Sequence, residues 1–225
     1  MKLKKLNEGL QQSLIDCGLT EANQMQKETF STIKSGADCL ILAPAGSGKT
    51  TTIVLNVIQQ LVKEGEQSPR ALIVVQDKEK VVEMLAMFEK LGAHTDLTVY
   101  GTHDKGDTDY DKNYISGGID VLVGTPHKLS EMLSTAGYNV NRLKMFIVDD
   151  ADPMLKLRHE TKIARISSSI AKTQRIIFAT DLTERIEALA DKMLVEPFEF
   201  EFYDEEEEQE GEDEEDTEDE IVEEK

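Results

Sequence analysis

Cys39-Leu40-Ile41-Leu42-Ala43-Pro44-Ala45-Gly46-Ser47-Gly48-Lys49-Thr50 is the stretch that decides the fold of this 225-residue chain. Four apolar residues run into a turn punctuated by glycine, and Lys49 opens a helical pattern reaching about Lys63. Strand, glycine-rich turn and helix in that order make an anion cradle. Glycines let backbone N–H groups converge on a phosphate, the helix N-terminus favours negative charge, Lys49 reaches β and γ oxygens, and the Thr50 hydroxyl ligates magnesium. Ala43 stands where the general pattern has glycine, but the Gly-Ser-Gly-Lys-Thr core and its context are intact.

Outward from this turn the text repeats. Short apolar runs at Cys39–Leu42, Ala71–Val75, Leu97–Tyr100, Ile119–Val123, Met145–Val148 and Arg175–Phe178 alternate with helical patterns at about Lys49–Lys63, Lys78–Leu91, Pro126–Ser134, His159–Ala171 and Glu184–Met193. Several strands are apolar throughout, as strands buried on both faces of a mostly parallel sheet must be. Such alternation predicts an α/β domain with helices on both faces, here over residues 38–203. Residues 1–37 carry two more helical patterns, near Leu10–Cys17 and Gln24–Lys34, each followed by glycine, and they are expected to lie as a layer on the sheet. Pro197–Phe202 alternates Phe and Glu and reads as a last edge strand.

Charge is concentrated at one end. The net charge is −20, and residues 204–225 hold 16 acids against one lysine, so residues 1–203 form a nearly balanced body. Too little apolar material follows Tyr203 to offset chain entropy, and residues 204–225 are expected to be a disordered acidic tail. Two cysteines, Cys17 and Cys39, without a Cys-X-X-Cys pattern or basic cluster suit packing roles and a reducing compartment, which points to the cytoplasm. No apolar run approaches the roughly 20 residues a membrane span needs.

A phosphate-binding turn does not separate GTPases, small-molecule kinases, transporter ATPases and nucleic-acid motors. The discriminating element is Phe146-Ile147-Val148-Asp149-Asp150-Ala151-Asp152, an apolar strand ending in acids. Acids at the carboxyl end of a strand face the ligand mouth of an α/β sheet, where Asp149 can hold magnesium and Asp150 can polarise a water.

Val148-Asp149-Asp150-Ala151-Asp152-Pro153-Met154-Leu155 resembles the DEAD-box motif of RNA helicases, and the resemblance covers nearly all of residues 1–203 and the first of that family's two RecA-like domains. It implies a single RecA-like domain that takes ATP and Mg²⁺. Lys49, Asp149 and Asp150 would be catalytic, Thr50 and Asp149 would hold the metal, and Ala45, Gly46, Ser47, Gly48, Lys49 and Thr50 would hold the phosphates. Gly18 to Gln26 is similar to the adenine-reading Q motif, with Gln26 as its glutamine. Val123-Gly124-Thr125-Pro126-His127-Lys128-Leu129 resembles the Thr-Pro-Gly-Arg motif, which implies RNA-backbone contacts from Thr125, Pro126, His127 and Lys128. Lys78 and Gly101-Thr102 occupy two further RNA-facing motifs, and Phe178-Ala179-Thr180 sits where the family has Ser-Ala-Thr, giving Ala179 and Thr180 a coupling role.

Departures leave more than one function open. Asp150 is one methylene shorter than the family's Glu, Phe178 lacks a hydroxyl, and Lys78 lacks the bidentate fork of arginine. Asp104, Asp107, Asp109 and Asp111 are expected to repel RNA beside a phosphate-binding surface. No arginine follows Arg185, so the reading expects no second domain from this chain and no autonomous unwinding. One reading is an ATPase that is slow or completed by a partner chain. Another is a non-catalytic ATP-binding adaptor whose acidic tail docks basic proteins, and a third is a degenerate helicase copy. His94, His103 and His159 lack metal-ligand spacing and suit surface or packing roles, and Met84, Met87 and Leu91 read as core.

Overall fold

The computed structural model describes residues 6–61 and 68–203. The end of the helix expected to reach Lys63 and the expected acidic tail at 204–225 lie outside the described residues.

Two helices come first, α1 (Glu8–Asp16) and α2 (Gln24–Ser35). Then follow β1 (Cys39–Leu42), α3 (Lys49–Leu61), β2 (Ala71–Val74), α4 (Lys78–Leu91), β3 (Val99–Thr102), α5 (Thr108–Ser116), β4 (Val121–Gly124), α6 (Pro126–Ser134), β5 (Met145–Val148), α7 (Ala151–Lys156), α8 (Glu160–Ser168), β6 (Gln174–Ala179), α9 (Glu184–Met193) and β7 (Phe198–Glu201). The seven strands form one sheet in the order β3-β4-β2-β5-β6-β1-β7, and every pair is parallel. All carboxyl ends therefore open on one edge, where an α/β sheet takes its ligand.

Alternation along the strands splits the core in two. Cys39, Ile41, Ala71, Ile73, Met145 and Ile147 face α1 to α4, while Leu40, Leu42, Leu72, Val74, Phe146 and Val148 face α6 to α9. Central strands are thus apolar throughout because both faces are covered. Phe178 is 1% exposed among these side chains. The aromatic alternation at 197–202 does form the outermost strand, and Phe200 and Phe202 pack on the first core while Phe198 stays open. Met84 and Leu91 are core, Met87 packs on the rim, and both cysteines are free thiols.

β3 and β4 begin two residues later than the hydrophobic runs at 97–100 and 119–123 suggest. A buried ion pair sets this register. Asp120 accepts from Arg70 Nε at 2.9 Å and from the Thr98 N–H at 3.0 Å, so the segment before β4 is held by charge and the ladder begins at Val121. Two helices lack a strong apolar period, α5 and the six-residue α7. The first turn of α5 is made by Asp107, whose carboxylate accepts from the N–H groups of Asp109 and Tyr110.

Candidate functional site

β5, β6 and β1 are neighbours, so the turn after β1, the acids after β5 and Thr180 after β6 meet at one stretch of the carboxyl edge. Gly46 and Gly48 hold φ of 82° and 91°, a region costly for any residue with a Cβ, and this curls the backbone into the cradle. Lys49 begins α3 and is nearly buried. Its ammonium donates to Ala43 O at 2.6 Å and Pro44 O at 3.2 Å and lies 3.6 Å from Asp150 Oδ1. Thr50 follows on the same turn of α3, half-buried.

Asp149 is 5% exposed, and its N–H donates to Val74 O at 2.9 Å, extending the β5–β2 ladder one step. Burial, then the neighbouring Asp150 charge, push its carboxyl up to about 6, against the smaller pull of Lys80 and Lys49. Such a carboxylate is short of a cation. Asp150 is bent into the left-handed region, φ 57°, and its Oδ1 is buried without a hydrogen-bond partner, as is Ser47 Oγ. Buried polar atoms without a hydrogen bond beside a backbone anion cradle fit a magnesium-bound phosphate chain. Thr50 and Asp149 are the protein groups that can hold the metal, which suits an ion that keeps most of its ligands as water and phosphate. Among the described residues no cluster of three His, Cys, Asp or Glu could hold a metal without such a ligand.

Two residues tie the site to its neighbours and were not singled out from the sequence. Asn23 caps α2 by accepting from the Gln26 N–H at 2.9 Å, Gln26 Oε1 accepts from the Asn23 N–H at 3.2 Å, and Asn23 Nδ2 donates to Ser47 O at 2.8 Å. Gln26 is thereby fixed beside the cradle, and a Cβ on Gly48 would stand 3.1 Å from Asn23 Nδ2 and 3.7 Å from Gln26 Nε2. The Asn-x-x-Gln capping signature before an amphipathic run was the available signal. Asp152 Oδ2 accepts from the Thr180 N–H at 2.7 Å, connecting the acidic run to the turn after β6, while Ala179 O accepts from Ala43 N at 3.0 Å.

The other half of the edge is built by β2, β4 and β3. Lys78, exposed on the first turn of α4, and His127, exposed on the first turn of α6, present side chains to solvent. Thr102, Thr125 and Lys128 are each 1% exposed. Lys128 Nζ donates to Gly106 O at 2.9 Å and Thr108 Oγ1 at 2.6 Å and lies 3.4 Å from Asp111 Oδ2. Thr102 Oγ1 donates to Asp111 Oδ2 at 2.6 Å, and Tyr100 OH to Asp111 Oδ1 at 2.7 Å. A buried carboxylate thus turns the Lys128 and Thr102 side chains inward. Asp111 is thus a buried counter-ion, while Asp107, a helix cap, Asp104, the acceptor of Thr125 Oγ1 at 3.1 Å, and Asp109 are exposed. Gly101 is required by packing, because a Cβ there would stand 2.6 Å from Val81 Cγ1 and 2.7 Å from Leu85 Cδ1. Pro126 occupies the first position of α6.

The family model described as DEAD/DEAH box helicase matches residues 23–188. Three curated proteins bearing the name ATP-dependent RNA helicase eIF4A are similar. The one from Eremothecium gossypii is 26% identical over 194 residues, 86% of this chain and 49% of that protein. The one from Kluyveromyces lactis is 27% identical over 173 residues, 77% and 43%. The one from Debaryomyces hansenii is 28% identical over 164 residues, 71% and 40%. The chain spans about half, or less, of the length of these relatives. With the cradle and the acids gathered on one sheet edge and Gln26 beside them, the match over residues 23–188 places the chain in the DEAD/DEAH box helicase family.

Proposed function

We propose that this chain is an ATP–Mg²⁺-binding, RNA-contacting domain of DEAD-box helicase type, with an ATPase activity that is slow or depends on a partner chain. One observation carries the reading: β1 and β5 bring Lys49, with its ammonium 3.6 Å from Asp150, beside the cation-poor Asp149.

When nucleotide binds, Lys49 exchanges the carbonyls of Ala43 and Pro44 for phosphate oxygens. Backbone N–H groups of residues 45–50 cradle the phosphate chain, and Gln26 meets the base from its fixed position. Magnesium, when bound, neutralises charge on the β and γ oxygens. Thr50 and Asp149 would hold that ion, and Asp150 would orient the attacking water. The short Asp150 side chain and its pairing with Lys49 set it back from that water, which supports a slow rate. Asp152 passes changes at the acids to Thr180 through one hydrogen bond. The test is steady-state ATP turnover by the full chain with and without single-stranded RNA. RNA-stimulated turnover lost in Lys49→Ala is expected; turnover equal to that variant under every RNA condition refutes the enzymatic reading.

A second reading, an ATP-binding adaptor without hydrolysis, is favoured by Asp150 and by Phe178, which is buried in the sheet and has no hydroxyl to couple nucleotide to RNA. In that reading residues 204–225 dock basic proteins in the cytoplasm. Deleting them while every co-purifying partner is retained refutes the tail docking.

A further inference from the structure

β7 ends the sheet and pairs with β1 on one side only. The ladder shows which of its groups point outward. Phe198 N–H donates to Asp38 O and Phe202 N–H to Leu42 O, each at 2.9 Å, so the even-numbered residues bond β1. Main-chain groups alternate in direction along a strand, and the N–H and C=O of Glu199 and Glu201 therefore face away from the sheet. Pro197, at the preceding outward position, has no N–H to offer, so the row of open donors begins at Glu199.

An open row of this kind is a template for another strand. Its side chains say which strand. Phe200 and Phe202 pack on the first core, while Phe198 on the same face is 55% exposed. On the opposite face Glu199 and Glu201 are exposed, and neither carboxylate is in an ion pair among the described residues. A second copy fits poorly, because pairing β7 with itself sets these glutamates against their own counterparts, and each chain carries −20 overall. Residues 204–225, with 16 acids against one lysine, cannot supply the missing cations either. Placed directly after β7 in the chain, those acids add to the attraction for a basic partner.

We propose that the β7 edge takes an extended segment of a partner protein in which apolar and basic residues alternate, added to the sheet as a further strand. Its main chain bonds Glu199 and Glu201, its apolar side chains lie beside Phe198, and its lysines or arginines stand opposite the two carboxylates. Main-chain bonds give such an added strand its affinity, and the alternating side chains give it specificity. The inference does not depend on nucleotide turnover.

Fluorescence anisotropy of the full chain with a labelled Lys-Val-Lys-Val-Lys-Val-Lys peptide tests this, beside a twin N-methylated throughout that keeps the charge but cannot pair as a strand. The plain peptide is expected to bind about tenfold or more tighter than its twin, and to slow hydrogen exchange at the Glu199 and Glu201 amides. Glu201→Pro removes an outward N–H and leaves the β1 ladder intact, and it should weaken the plain peptide about tenfold without affecting the twin. Glu199→Lys/Glu201→Lys changes exposed side chains alone and should bring the plain peptide down to the level of its twin. Equal affinity for peptide and twin means that charge alone attracts them and overturns the inference, as does binding of neither. A full chain that sediments as a dimer until Glu201→Pro is introduced puts a second copy on the edge and overturns it too.

Discussion

Replacing Asp149 by Asn should make the nucleotide-free protein more stable and its nucleotide complex weaker. The carboxyl is 5% exposed and raised from the ordinary aspartate value of 3.8 to about 6, a shift of about 2 units. At about 1.4 kcal/mol per unit, keeping it ionised at neutral pH costs the fold up to about 3 kcal/mol. The sign follows from linkage. The native state binds this proton more tightly than the unfolded chain, so stability from this group is present at low pH and lost as pH rises through about 6. Asn removes the charge and keeps the shape. Without nucleotide at about pH 7.5, Asp149→Asn should melt higher by about 4–8 °C, at roughly 2–4 °C per kcal/mol for a chain of this size and about 2 kcal/mol realised. Acidification should narrow the gap, by a little under about 1 kcal/mol at about pH 5.5 and fully only as pH approaches the unfolded aspartate value of 3.8. Saturating Mg²⁺–ATP should raise the parent by about 3 kcal/mol at a hundredfold excess over Kd and the variant much less. Thermal melts followed by circular dichroism provide the data. A variant that melts at or below the parent at neutral pH, or a gap that widens on acidification, refutes the reasoning.

Other perturbations separate folding from function. Asp120→Ala leaves Arg70 buried without its counter-ion and should cost about 3–5 kcal/mol, read as a lower urea midpoint. Lys128→Ala should cost about 3 kcal/mol by stranding Asp111, and Lys128→Met with Asp111→Asn together should cost less than the two single changes summed, checked by urea unfolding of the full cycle. Gly48→Ala, at φ 91° and with its Cβ 3.1 Å from Asn23 Nδ2, should cost about 1–2 kcal/mol in stability and displace Asn23 from Ser47, weakening nucleotide binding in calorimetric titration.

What was legible in the sequence is what physics makes local. The cradle at 43–50 needs a strand, two glycines, a lysine and a helix start within a dozen residues, and the acids at 149–152 follow their strand directly, so spacing alone placed both at the sheet edge. The same applies to the central strands, whose unbroken apolar runs can only be buried on both faces. What was not legible depends on partners far along the chain. Lys128 reads as a basic residue of an RNA-facing motif until Asp111 is folded beneath it, and Asp111 reads as a surface acid until Thr102, Tyr100 and Lys128 surround it. The shift of β3 and β4 has the same cause, since a charge pair between Arg70 and Asp120 overrides the hydrophobic run. α5 escaped notice because the Asp107 cap, the buried Asp111 and Ile115 and the stacking of exposed Tyr114 on Tyr100 hold it, without an apolar stripe. Asn23 was visible as part of a motif, but its bond to Ser47 exists only once α2 lies across the cradle.

The central claim is that the turn after β1 and the acids after β5 form one ATP–Mg²⁺ site. Calorimetric titration of the full chain with a non-hydrolysable ATP analogue and Mg²⁺, repeated with Lys49→Ala and with a chelator, tests it most directly. One saturable site per chain, lost in the variant and weakened by the chelator, is the predicted result. Absence of saturable binding, or binding identical in parent and Lys49→Ala, would contradict it.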